Sequence, residues 1–321
     1  MLLPWHEVSG MVRISLPRGW RAASLCVGID IGHDGLRAAL MRRRGRQRQV
    51  LQLAARRLQP PGSGRDHFSD LDALAGHCRA LLPNRAYRDA ALVLAIPAAS
   101  LAYRQLVLPA ASNQVQRLSQ VRAEMAAHGL DAAEYELDYQ VLGPQPGSAG
   151  DVEVLAMAAP TLAIEDRLAL GDVLHMPLAG LPPEDLCLRD FLRQDRPART
   201  DAVLRLDSGG GWLIQGAGAS QPLHWSAAGA EKNPKSRTDA SLSLLAELAP
   251  LLHQRTHQLL LTGDHPLLDH LPPLFHRYTS LTAAPGRLPS CLVLPVDVRT
   301  SHPGPLPGFH LAMALAARGL A

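Results

Sequence analysis

The chain has 321 residues, 47% of them hydrophobic, which suffices for one large α/β domain or two ordinary lobes and argues against wholesale disorder. A formal charge of +3 is too small to point to nucleic acid as a partner. Cys26, Cys78, Cys187 and Cys291 lie far apart with no Cys-x-x-Cys pair and read as buried thiols rather than a zinc site or disulfide frame, and no apolar run approaches the roughly 18–20 residues of a membrane helix.

In chain order, residues 1–23 carry Pro4, Gly10, Pro17 and Gly19 and read as an irregular lead-in without an apolar segment of signal-peptide length. Leu25–Ile31 is a strand, Leu36–Met41 a second, and Val50–Ala54 a third, with the basic stretch Arg42–Arg48 as a solvated hairpin tip. Leucines 71, 74, 81 and 82 give Asp70–Leu82 the period of an amphipathic helix. Ala90–Ile96 is a continuous apolar run ending at Pro97, the pattern of a buried strand. Then Leu101–Leu108 alternates, a helix starts near Ser112 and stops at Gly129, and Tyr135–Leu142 and Val152–Ala158 form a hairpin. A helix from Thr161 to about Gly171 completes a compact α+β insert. Val173–Leu181 reads as extended, Pro183–Leu192 as a helix, and Arg193–Thr200 as a link. Beyond it come strand Ala202–Asp207, hairpin strands Trp212–Ile214 and Leu223–Trp225, and a polar loop Ser226–Thr238. Helix Ser241–Leu252, strand Gln258–Leu261, a proline-rich passage from Pro285 to Pro307 and helix Phe309–Arg318 close the chain.

Two strands end alike: Val27-Gly-Ile-Asp30-Ile-Gly32 and Val203-Leu-Arg-Leu-Asp207-Ser-Gly209. Each carries a carboxylate to its C-terminal end, where glycine allows the backbone to turn without a Cβ clash. One such turn in each half predicts two related α/β lobes facing one cleft.

Several further stretches in this order resemble the PilM family of type IV pilus assembly proteins, actin-like relatives of FtsA. They are Arg37-Ala38 after the first turn, Ala95-Ile-Pro97, Leu137-Asp-Tyr-Gln-Val-Leu142, Val154–Pro160, Leu261-Thr-Gly263 and the closing Phe309–Gly319. The resemblance implies a two-lobed actin-like (ribonuclease H-like) α/β fold with a small inserted α+β subdomain. Residues 24–98 and 173–200 would form the first lobe, 99–172 the insert and 201–321 the second lobe. It further implies a cytoplasmic scaffold, peripheral to the inner membrane, that binds the tail of a PilN-like membrane protein. Pilus motor ATPases and other copies in a ring are further implied partners. The alternatives are an active actin-like ATPase and a GspL-like module of a type II secretion system.

The family's ATP/Mg cleft maps onto Asp30, Gly32, Asp207, Gly209 and Gly263. Three departures predict that it has decayed. His33 and Asp34 replace a hydroxyl residue at the first turn, Gly210 and Gly211 remove side-chain donors at the second, and Asp264-His265-Pro266 crowds the third. Gly229–Ser236 nearly spells a P-loop, but Pro234 removes an N–H that phosphate would need. His253 and His257 lack a third metal ligand nearby. No residue pattern marks a catalytic site, so no turnover is expected. The resemblance also places the tail-binding groove between the first lobe and the insert, with Leu101, Tyr103, Val115, Leu118, Arg122 and Glu124 as its lining. Met1-Leu-Leu-Pro-Trp5 itself resembles a PilN tail and could mimic one.

Overall fold

The computed structural model describes residues 24–33, 35–58, 68–82, 87, 89–131, 133–195, 201–207, 210–215, 220–223, 234–252, 256–279, 281–301 and 306–320. The N-terminal lead-in with its tail-like segment, Asp34, Gly209, most of the P-loop-like stretch and His253 lie outside these residues.

The first half runs β1 (Leu25–Ile31), β2 (Gly35–Arg44), β3 (Gln47–Arg57), α1 (Leu71–Leu81), β4 (Ala91–Leu94), β5 (Ala102–Pro109) and α2 (Gln114–Ala127). It continues through β6 (Tyr135–Pro144), β7 (Asp151–Pro160), α3 (Thr161–Leu174), β8 (Leu178–Gly180) and α4 (Glu184–Leu192). The second half runs β9 (Asp201–Asp207), β10 (Gly210–Gln215), β11 (Ser220–Leu223), α5 (Pro234–Leu248), β12 (Gln258–Gly263), α6 (Leu271–Tyr278) and β13 (Thr282–Pro285). It ends with β14 (Leu292–Val293), α7 (Val296–Ser301) and α8 (His310–Gly319). None of the described helices is long and apolar enough to cross a membrane.

Two sheets repeat one topology. The first has the order β14-β3-β2-β1-β4-β8 and the second β11-β10-β9-β12-β13. In each, an antiparallel meander (β1–β3, β9–β11) is extended by parallel strands beside its first member. The equivalence places Asp30 and Asp207 at matching C-terminal strand ends.

Side-chain alternation explains the layering. Val27 and Ile29 of β1, with Leu36, Ala38 and Leu40 of β2, join Leu74, Cys78, Ile164 and Leu170 in a core on one face of the first sheet. On the other face Cys26, Ala39, Met41 and Val93 pack with α8 and α4, and that same core includes Val203, Trp212, Ile214 and Leu260 of the second sheet. The second sheet's outer face buries Ala202, Leu204, Leu206, Leu259 and Leu261 against Leu244, Leu248, Leu271 and Phe275. The C-terminal helix is therefore a layer shared by both sheets. An ideal Cβ at Gly28 would sit 2.1 Å from the Ala312 carbonyl oxygen, so only glycine permits this approach. Cys26, Cys78 and Cys187 are buried, and burial pushes their thiols up to about 12.

The insert is the sheet β5-β7-β6 with α2 on one face. Asn113 caps α2, accepting from Gln116 N at 3.0 Å while the Gln116 side chain accepts from Asn113 N at 2.9 Å; this capping box moves the start past Ser112.

Several expected boundaries change. The helix α3 extends through Val173 and Leu174, where an extended run was expected, and the strand shrinks to Leu178–Gly180. It packs on α1 and on the first sheet rather than completing the insert, because Ile164 and Leu170 supply apolar surface to that core. Residues 234–238, read as loop, begin α5, since proline is tolerated in a first helical turn. The proline-rich passage starts at the last residue of β13 and contains β14 and α7. Finally, β14 pairs with β3, and α8 lies against β1, β2 and β4, so the last thirty or so residues do not belong to the second sheet alone, as assigning 201–321 to one lobe implied.

Candidate functional site

The strand β9 alternates, with Ala202, Leu204 and Leu206 facing outward into the second lobe's core and Val203, Arg205 and Asp207 facing the first lobe. Arginine thus occupies a position where the pattern calls for an aliphatic residue. Its guanidinium donates through Nη2 to both oxygens of Asp30, at 3.2 and 2.9 Å. Nε lies 3.4 Å from Asp207 Oδ2 and Nη1 lies 3.8 Å from Glu184 Oε2, at the first turn of α4. The Trp212 ring lies 5.9 Å from the guanidinium carbon. Arg205, Asp30, Asp207 and Glu184 are all buried. Burial alone lowers the arginine's pKa, but Asp30, Glu184 and Asp207 outweigh it and raise the value above the ordinary one.

A second ion pair joins the lobes nearby. Arg37 of β2 donates to Asp264, which follows β12. Gly263 has φ +105° and its ideal Cβ would meet the Leu206 carbonyl oxygen at 1.9 Å, so glycine is required there for reasons internal to the sheet.

An ATP/Mg site needs backbone amides at these turns free to meet phosphate. Gly32 N donates to Gly35 O at 2.8 Å, while Asp264 N and His265 N donate to Leu206 O at 3.2 and 3.3 Å. The His265 ring is also engaged, accepting from Leu267 N at 3.2 Å. Asp30 and Asp207, the carboxylates that would face a metal, meet a guanidinium instead. The residues present do not fit Mg·ATP. Of the sequence-derived cleft residues, the structure brings Asp30 and Asp207 to one guanidinium and puts Gly263 at the adjoining strand end. Gly32 has its amide turned inward, and Gly209 lies outside the described residues. Among the described residues no group of three or more His, Cys, Asp or Glu could hold a metal ion. Arg205 and Glu184 were missed; one charge inside the run Ala202-Val-Leu-Arg-Leu was the available signal.

The six proposed groove residues separate. Tyr103 lies on the sheet face opposite α2, near Leu142, Leu155, Met157 and Leu186, and its hydroxyl donates to Asp185 Oδ1 at 2.7 Å. Burial and the nearby Asp185 raise its pKa well above the ordinary value. Leu101 packs at the edge of the first lobe's core. Leu118 packs beneath α2 on the other face of the insert sheet, Val115 is 79% exposed, and Arg122 and Glu124 are exposed on the same helix. A strand and the helix covering its far side cannot line one groove. The face toward the first lobe is instead formed by Tyr103, Leu142, Leu155 and Met157 with Leu186 of α4.

Residues 28–183 match the family model described as type IV pilus assembly protein PilM. Over that stretch, just under half of the chain, the sequence is similar to the PilM family. The match covers most of β1, then β2, β3, β4 and β8 of the first sheet and the whole insert, but not β14. A chain of the solved PilM-PilN type IV pilus biogenesis complex superposes on this PilM-like protein with a TM-score of 0.78 and 18% identity, covering 94% of this chain and all of that one. The cytoplasmic domain of EpsL, an inner-membrane component of the Vibrio cholerae type II secretion system, gives 0.50 and 12% over 92% of this chain and 95% of its own. No curated protein matches the chain by sequence. The duplicated sheets with an insert after β4 are an actin-like fold.

Proposed function

We propose that this PilM-like protein is a scaffold of a type IV pilus inner-membrane platform, holding the cytoplasmic tail of a PilN-like membrane protein without turning over nucleotide. The observation that carries the reading is the family match over 28–183, the part of the chain that builds the insert and most of the first sheet. The likeness to a chain of a PilM–PilN complex supports the partner's class. The tail lies along the insert's helix-free sheet face beside α4, where the partly exposed Tyr103 and Leu142 offer apolar surface. In this reading the protein works on the cytoplasmic side and reaches the membrane through its partner. Ring assembly and contact with motor ATPases belong to the same reading.

Fluorescence anisotropy with a labelled N-terminal tail of the PilN-like protein tests it. Wild-type protein binds saturably, Leu142→Glu weakens binding at least tenfold, and Val115→Glu, on the outer face of α2, leaves it unchanged. Absence of wild-type binding overturns the partner; the reverse pattern of variants overturns the groove.

A further inference from the structure

We infer that Arg205 is a tethered cation filling the interlobe cleft between Asp30 and Asp207, so that the lobes are clasped by the chain itself and Mg·nucleotide is shut out. The inference concerns the cleft alone and stands or falls independently of which tail the insert binds.

Three observations converge. First, one guanidinium touches carboxylates from both lobes: Asp30 on β1 at 2.9 and 3.2 Å, Glu184 on α4 at 3.8 Å and Asp207 on its own strand at 3.4 Å. Buried carboxylates need a compensating cation, because low dielectric makes an unpaired charge costly. A planar, always-charged guanidinium with five donors can answer several carboxylates at once, as a lysine's point charge cannot. Second, three described backbone donors at the first and third turns are already used: Gly32 N by Gly35 O, and Asp264 N and His265 N by Leu206 O. Third, Arg37 and Asp264 form a second bridge between β2 and the end of β12, so the cleft is tied at two points. Around the first point Glu184 also accepts from Ala98 N at 3.0 Å, which anchors that carboxylate to the segment leading into the insert. The clasp thus ties the second lobe to the base of the insert through Arg205, Glu184 and Ala98.

On this inference nucleotide has no place in the protein's working cycle. The test has two parts. Wild-type protein is titrated with Mg·ATP and a fluorescent ATP analogue to millimolar concentration; no saturable binding and no shift in melting temperature are expected. The variant Arg205→Ala is then melted with and without 20 mM guanidinium chloride, against sodium chloride at equal ionic strength. It should melt at least 5 °C below wild type and regain at least half that loss with guanidinium only. If Arg205→Ala does not fold, the pair Asp30→Asn with Arg205→Gln, which removes one charge of each sign, replaces it. That pair should fold, melt below wild type and gain nothing from guanidinium. Saturable wild-type Mg·ATP binding overturns the inference. So does an Arg205→Ala protein as stable as wild type or indifferent to guanidinium, or a replacement pair that melts at the wild-type temperature.

Discussion

His310 opens α8 at the junction of the two sheets, fully enclosed, with Nδ1 3.2 Å from Thr262 Oγ1 on β12. Burial lowers its pKa from 6.5 to about 4. The unfolded chain thus takes up a proton at this residue between pH 6.5 and 4 that the folded protein refuses. Proton uptake by the unfolded state lowers stability, so the loss sets in as pH falls below 6.5 and is complete below about 4. At pH 5 the linkage is RT ln[(1 + 10^1.5)/(1 + 10^−1)], about 2 kcal/mol; the full shift of 2.5 units corresponds to about 3 kcal/mol. The assay is urea unfolding at pH 7.5, 6.5, 5.5 and 5.0 for wild type and His310→Gln. Wild type should lose about 2 kcal/mol more than the variant between pH 7.5 and 5.0. Carboxylates elsewhere titrate equally in both proteins and cancel in the difference. Parallel pH profiles would refute the reasoning, since they would mean that His310 protonates in place.

Two further substitutions probe the layers. Gly28→Ala must move α8 by roughly 1 Å to bring the 2.1 Å approach at Ala312 to ordinary contact, which costs about 1–3 kcal/mol or more of stability in urea unfolding; a change below about 0.5 kcal/mol would show that the helix sits farther from β1. Tyr103→Phe removes one donor from the buried Asp185 carboxylate and should cost about 1–3 kcal/mol by the same method, and a neutral result would mean that water serves Asp185 as well.

Most of the fold was legible because its strands are short, apolar and stopped by glycine or proline. Ala90–Ile96 and Gln258–Leu261 could hardly be anything else, and the two Asp-x-Gly turns exposed the duplication. Legibility failed where local pattern and tertiary contact diverge. Val173 favours strand in isolation, but it and Leu174 continue α3, because that helix lies on α1 and turns only at His175, the one described non-glycine residue with positive φ (54°). Helix α7 hides among prolines at 295, 303 and 305 because proline punctuates its ends without entering it. The candidate groove was misjudged for another reason. Sequence places Tyr103 and Val115 a dozen residues apart, but it does not say that α2 covers the face of β5 opposite Tyr103. That choice depends on Val121 and Met125 packing onto Leu108, Tyr139 and Val154, contacts spread over nearly fifty residues.

The same divergence explains why the cleft could be read as decayed while its replacement went unseen. Losing a hydroxyl at a phosphate turn is a local event, visible at positions 33, 210 and 264. Gaining a clasp is non-local: Arg205 acquires meaning only when β1, β9 and α4 meet, 21 residues separating it from Glu184 and 175 from Asp30. Such a residue would unfold an ordinary buried strand, since a lone guanidinium among Val203, Leu204 and Leu206 has no water to compensate it. It is tolerated because three carboxylates meet it at that point. An arginine with fewer partners would have been too costly to bury; three carboxylates with no cation would have driven the lobes apart. Each half of the arrangement requires the other.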